Sequence, residues 1–274
     1  MLKIKTVDPT GTIMIRKRAS LEIDRRFLKI KKFVRDTFTD SGLISNITKE
    51  KDKYIFVRDK DKIKEFNRWL QLEVDKEILG IADGSIEPEN YWLNVHVGQG
   101  YERGAVKSRI IAERGISSLV GIPEYHPFAN PAHIDRAELV YTRVFNDMKN
   151  VTDTMRGQMS NVLSNGMIRG DGPWTIAKDM IGRVDSIGIT RAKLIARTEI
   201  VEAHNQASLV EGGLIAKETG IKEQYQWIGS DDGRERPKHI SWNNNIYSAN
   251  EIKSMIGEPN CRCSVSLYID IKNL

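Results

Sequence analysis

Cysteine is almost absent: 274 residues hold two, Cys261 and Cys263, one residue apart. A disulfide framework needs more cysteines, spread more widely, and an oxidising compartment; a Cys-x-Cys disulfide would also be strained. Long apolar runs are missing as well. No stretch approaches the roughly 18 consecutive apolar residues of a membrane span. The charged start Met1-Leu2-Lys3-Ile4-Lys5 has no apolar segment behind it, so no secretory leader and no membrane partner are expected, and the chain reads as starting in a cytoplasm. Familiar catalytic signatures are absent too. There is no Gly-x4-Gly-Lys-Ser/Thr phosphate loop, no Gly-x-Ser-x-Gly elbow and no His-Glu-x-x-His. Gly98-Gln99-Gly100 lacks the strand and the third glycine of a dinucleotide site. No internal repeat or low-complexity tract is present. The expectation is a non-enzyme.

What is there is ordinary in bulk and uneven in charge. Hydrophobic residues make up 40% and charged residues 29%, a mix that supports a core and leaves long exposed helices. Residues 1–70 carry 19 Lys/Arg against 10 Asp/Glu, an excess of nine; the remainder carries 23 against 27. A basic first quarter suits an anionic partner, nucleic acid or an acidic protein surface, or is a solvated face. Positives interleaved with negatives, as in Lys51-Asp52-Lys53 and Lys60-Asp61-Lys62, weaken the nucleic-acid reading.

Periodicity gives a mainly α chain with a small α+β C-terminal module: long helices plus short antiparallel strands. Residues 1 to about 20 read as an extended arm with a β-leaning run Thr12-Ile13-Met14-Ile15. Helices are expected over Leu21–Phe38, over Asp59–Leu79 with Gly80 as C-cap, over Tyr91–Arg114 with interruptions at Gly98, Gly100 and Gly104, and over Arg136–Gly166. Lys53–Val57 reads as a brief strand or linker, Ala82–Ser85 as a turn, and Gly121–Pro131, with three prolines, as a loop. Asp171 or Gly172 can cap a helix opening at Pro173 and running to about Val184. A helix over Arg191–Glu211 closes at Gly212-Gly213, and short strands follow at Tyr225–Ile228, Asn245–Tyr247 and Ser264–Ile269. Three segments result: a basic N-terminal arm and helices (1–80), a helical body (81–190) and a C-terminal module (191–274).

The helix Arg191–Glu211 carries the most information. At 100° per residue, Thr198, Glu202 and Asn205 share an arc with Leu194, Val201 and Leu209. Polar groups on an apolar face must be paired when buried. Glu202 therefore calls for a cation or several donors, and Arg234 and Arg236 are the candidate cations downstream. The expected structural polar network comprises Arg197, Thr198, Glu199, Glu202, Asn205, Arg234 and Arg236. His204, on the other side with Arg197 and Glu211, reads as a surface histidine. His239 with Cys261 and Cys263 offers three zinc ligands, a fourth being Asp232 or another residue; the bland alternative is two reduced cysteines packed under the last strand. A structural zinc is thus one reading of the cofactor content.

Three blocks occur in order: Arg191-Ala192-Lys193-Leu194-Ile195-Ala196-Arg197-Thr198-Glu199, then Trp227 with Asp232-Gly233-Arg234-Glu235-Arg236-Pro237-Lys238-His239, then Pro259-Asn260-Cys261-Arg262-Cys263. Together they resemble the phage head-morphogenesis family, the Mu F-like minor head proteins, over about Arg136 to Tyr268. The best-matched positions are Arg197, Thr198, Glu199, Arg236, His239, Cys261 and Cys263. The resemblance implies a minor capsid protein in few copies in a tailed-phage virion, near the portal vertex, assisting head assembly and genome packaging or delivery. Portal protein and major capsid protein are the implied partners, with double-stranded DNA as a further one. Some members carry toxin domains after this module; the chain ends at Leu274, just past the motif, so none is expected here. Two competing readings are a non-specific DNA-binding virion protein and a metal-dependent hydrolase built on Glu199, Glu202, His239 and the cysteines.

Overall fold

A computed structural model of the chain describes residues 8–39, 47–56, 60–81, 88–116, 119 and 125–270. Its helices are α1 (Ile13–Thr39), α2 (Lys60–Val74), α3 (Asn94–Gly115), α4 (Pro131–Arg169), α5 (Pro173–Arg183), α6 (Thr190–Thr219), α7 (Pro237–Trp242) and α8 (Ala249–Met255). Strands β1 (Ile47–Glu50) and β2 (Lys53–Phe56) form an antiparallel hairpin, and β3 (Gln224–Ile228), β4 (Ile246–Ser248) and β5 (Ser264–Leu267) form an antiparallel sheet in the order β4-β3-β5. The mainly helical reading with short C-terminal antiparallel strands holds. No helix among the described residues is long and apolar enough to cross a membrane.

Contacts divide the chain into two compact units, Met1–Ala19 with Leu93–Val144 and Leu194–Leu274, and Ser20–Trp92 with Phe145–Lys193. The second buries helix stripes at three- and four-residue spacing: Ile23, Phe27, Ile30 and Val34 of α1, and Phe66, Leu70 and Val74 of α2. Phe66 stacks on Phe33 and meets Phe38 edge-on, with ring centroids 6.4 and 5.9 Å apart. From α4 come Met148, Val151, Met155, Met159 and Leu163. The first unit packs Tyr225 and Trp227 of β3 and Val265 and Leu267 of β5 with Ala112 of α3, Leu209 and Ile215 of α6, and Ile252 of α8.

Several boundaries differ from the sequence reading, each for a physical reason. The stretch Thr12–Ile15 is not an extended, β-leaning run: α1 begins at Ile13. Asp8 Oδ2 accepts the Ile13 backbone N–H at 2.7 Å, and this cap outweighs the β-branched propensity of the run. α4 begins at Pro131 rather than Arg136, because Asn130 Oδ1 accepts the Ala132 N–H at 2.9 Å and proline is at home in a first turn. Gly172 is the N-cap of α5, with Pro173 in its first turn. The helix expected to stop at Gly212-Gly213 continues to Thr219, and the left-handed residue that follows is Gly220, φ 76°. Gly212 is glycine because the Tyr225 ring lies against it; an added Cβ would stand 2.9 Å from Tyr225 Cε1. Leu21, Leu28, Trp69 and Leu72, counted on apolar faces, are exposed. The turn at Ala82–Ser85 and residues 1–7, 57–59 and 121–124 of the expected segments lie outside the described residues.

Candidate functional site

α6 is buried on nearly every side over its middle turns, so its polar residues sit inside the protein rather than on one wet face. The reason lies in how closely α3 crosses it. A Cβ at Gly100 would stand 2.7 Å from the Ile200 carbonyl oxygen, and one at Gly104 would stand 2.8 Å from the His204 carbonyl carbon. The glycines expected to interrupt α3 instead let two backbones touch. Ser208 Oγ donates to the Gly104 carbonyl at 3.3 Å across the same crossing.

Each buried polar group then needs a partner, and the partners are only partly those expected. Glu199 takes Arg143 of α4, with Nε at 3.0 Å and Nη2 at 2.6 Å. Glu202 is 5% exposed and is not answered by Arg234 or Arg236. Its Oε1 accepts from Gln206 Nε2 at 2.7 Å, its Oε2 has no hydrogen-bond partner among the described residues, and Gly257 lies against the carboxylate. Burial raises its pKa from 4.5 to about 7. Arg234 is exposed and among the described residues its guanidinium pairs with Asp232, at 3.5 Å, because the chain turns at 231–235 and leaves the side chain outward. His204 is fully buried rather than on the surface, since it faces the α3 crossing; burial drives its pKa down to about 3. Asn205 clamps β5: its Nδ2 donates to the Cys263 carbonyl and its Oδ1 accepts the Val265 N–H, both at 3.2 Å.

Arg197, Thr198 and Arg236 converge on one turn. Arg197 Nη1 donates to Asn260 Oδ1 at 2.7 Å, Thr198 Oγ1 accepts the Asn260 N–H at 2.9 Å, and Arg236 Nη2 donates to the Pro259 carbonyl at 2.6 Å. Asn260 needs that hold because its φ is 63°, in the left-handed region. The turn it makes delivers Cys261 and Cys263 beside His239. The imidazole Nδ1 lies 3.5 Å from each sulfur, and the ligand atoms of the three residues all fall within 4.8 Å of one another. A hydrogen bond between the two thiols lowers the pKa of Cys261 and raises that of Cys263. Asp232, suggested as a fourth ligand, is committed elsewhere: its Oδ1 accepts from Arg262 Nη2 at 2.7 Å.

A second polar cluster was not legible in the sequence. Glu211 of α6 meets His133 Nε2 at 3.0 Å, Arg109 Nη1 at 3.5 Å and the Tyr125 hydroxyl, and His133 Nδ1 in turn meets the Tyr101 hydroxyl at 3.0 Å. No spacing rule joins residues 101, 109, 125, 133 and 211. The capping box of α8 was legible but unread: Ser248 and Glu251 have the required i, i+3 spacing and exchange both bonds.

Residues 157–266 match the family model described as Phage Mu protein F like protein. That segment runs from within α4 to β5 and contains all seven best-matched positions of the sequence reading. Over those residues the chain is similar to the Mu F-like phage head-morphogenesis family. No curated protein and no solved structure matches the chain.

Proposed function

We propose, on the premise of a Mu F-like C-terminal segment, that the chain is a structural minor head protein at the portal vertex of a tailed-phage capsid. It supports head assembly and genome packaging or delivery, with portal protein and major capsid protein as partners. The carrying observation is that the matched segment is built as a locked element: Arg197 and Arg236 donate to the turn before Cys261, Thr198 accepts the Asn260 N–H of that turn, and Asn205 spends its amide on β5. Groups consumed in holding a turn and a strand are scaffold groups. Glu199, offered as a general base in the hydrolase reading, is held by a two-nitrogen arginine pair instead.

The test is to tag the chain in the producing phage, purify DNA-filled virions and probe for it with portal protein. Co-purification at a few copies per virion is expected; its absence from virions would sink the proposal. The DNA-binding reading is less favoured, because several cations of the basic first quarter are already engaged in ion pairs. Arg25 and Arg26 pair with Glu22, Lys29 with Glu77 and Lys31 with Asp185. Salt-sensitive duplex binding at about 50 mM salt would revive it.

A further inference from the structure

We infer that His239, Cys261 and Cys263 supply three ligands of a site for one structural zinc ion, with Glu258 orienting the imidazole and Glu235, beside Cys263, the carboxylate that would turn in as the fourth. The inference stands on geometry and is independent of where the protein sits in a virion.

Two sulfurs approach one nitrogen. A neutral imidazole Nδ1 has a single lone pair and accepts one S–H bond, not two, yet both sulfurs stand 3.5 Å from it. Ligands sharing a tetrahedral zinc, with Zn–N of about 2.0–2.1 Å and Zn–S of about 2.3 Å, stand about 3.6 Å apart. The observed separations are those of tetrahedron edges.

The opposite side of the ring fixes the tautomer. Glu258 Oε2 lies 3.1 Å from His239 Nε2, so the carboxylate takes the Nε2–H and leaves the Nδ1 lone pair facing the sulfurs. A carboxylate behind a ligating histidine is the usual outer support of a zinc site. The ring is held further between Trp242, stacked at 5.1 Å, and Trp227, edge-on at 5.2 Å.

Glu235 stands beside one of the three ligands and would complete the set by turning its carboxylate toward the other two. Its Oε1 is 3.4 Å from Cys263 Sγ, again close to a tetrahedron edge, while its Oε2 is occupied by the Asp231 N–H at 2.9 Å. The Cys263 backbone N–H points at Cys261 Sγ at 3.4 Å, which favours a thiolate there. Soft thiolates with imidazole select zinc over magnesium or calcium. His239 is 1% and Cys263 2% exposed, while Cys261 is half-buried, so two of the three ligands are shielded from water. The ion would tie α7 and the loop before it to the entry of β5. α7 is six residues long, too short to hold its helical form without tertiary ties. On binding, both thiol protons leave to solvent and the carboxylate and imidazole enter unprotonated.

The test uses the full chain. Elemental analysis of protein purified without chelator is expected to give one zinc per chain. Chelator-stripped protein titrated with cobalt(II) should show thiolate-to-metal charge transfer and tetrahedral d–d absorption, readouts that need no variant. Glu258→Gln should keep the stoichiometry and weaken zinc binding about 10- to 100-fold in competition with a chromophoric chelator. Glu235→Ala should alter the cobalt spectrum and weaken binding. No zinc uptake, or a cobalt spectrum without thiolate bands, overturns the site. Unchanged affinity and spectrum in Glu235→Ala overturns the four-ligand set.

Discussion

The same substitution, glycine to alanine inside a helix, should have opposite signs at two places in this chain. At Gly157 of α4 an added Cβ meets nothing within 4 Å. Alanine there removes backbone freedom from the unfolded chain and should stabilise by about 1 kcal/mol. At Gly104 of α3 the added Cβ would lie 2.8 Å from the His204 carbonyl carbon and closer still to its oxygen. Ordinary contacts need about 3.5–4.0 Å, so the helices must part by on the order of 1 Å. The obstacle is backbone and cannot rotate aside. Overpacking costs about 1–3 kcal/mol and sometimes more; taking the upper end and subtracting the propensity gain of about 1 kcal/mol leaves Gly104→Ala less stable by about 2 kcal/mol. Urea unfolding of both variants and the natural chain measures this, with the midpoint as readout and an unchanged slope as control. A Gly104→Ala variant as stable as the natural chain would refute the close crossing on which the burial of α6 depends.

The pH dependence of stability should carry a mark of Glu202. Its folded pKa of about 7 lies above the ordinary 4.5, so the folded chain keeps a proton that the unfolded chain has lost. Stability from this group is therefore full below pH 4.5 and declines as pH rises to about 7. Glu202→Gln removes that decline: measured with chelator present, its stability relative to the natural chain should rise by about 3 kcal/mol across the window. Parallel curves for the two proteins would show that Glu202 is not buried as described. Asn205→Ala leaves the Cys263 carbonyl and the Val265 N–H without their side-chain partner. It should lower stability by about 2 kcal/mol or more, read by thermal unfolding; a loss under about 0.5 kcal/mol would mean that the clamp is not formed.

By itself the sequence determined the helical majority, the helix start at Pro173 and the antiparallel strands of the last sixty residues, and it offered His239, Cys261 and Cys263 as candidate ligands. These follow from periodicity, turn chemistry and a short list of metal-ligating residue types, all of which act locally or are recognisable in isolation. Only the tertiary structure decided who answers the buried carboxylates. Arg143 lies 56 residues before Glu199 and His133 lies 78 before Glu211, distances over which no spacing rule operates. It also decided what the glycines mean. Read along the chain, Gly100, Gly104 and Gly212 look like helix breakers; in the fold each marks a place where another backbone or ring has taken the space of a Cβ. A glycine's local cost is visible in sequence, but the neighbour that makes it necessary is supplied by packing.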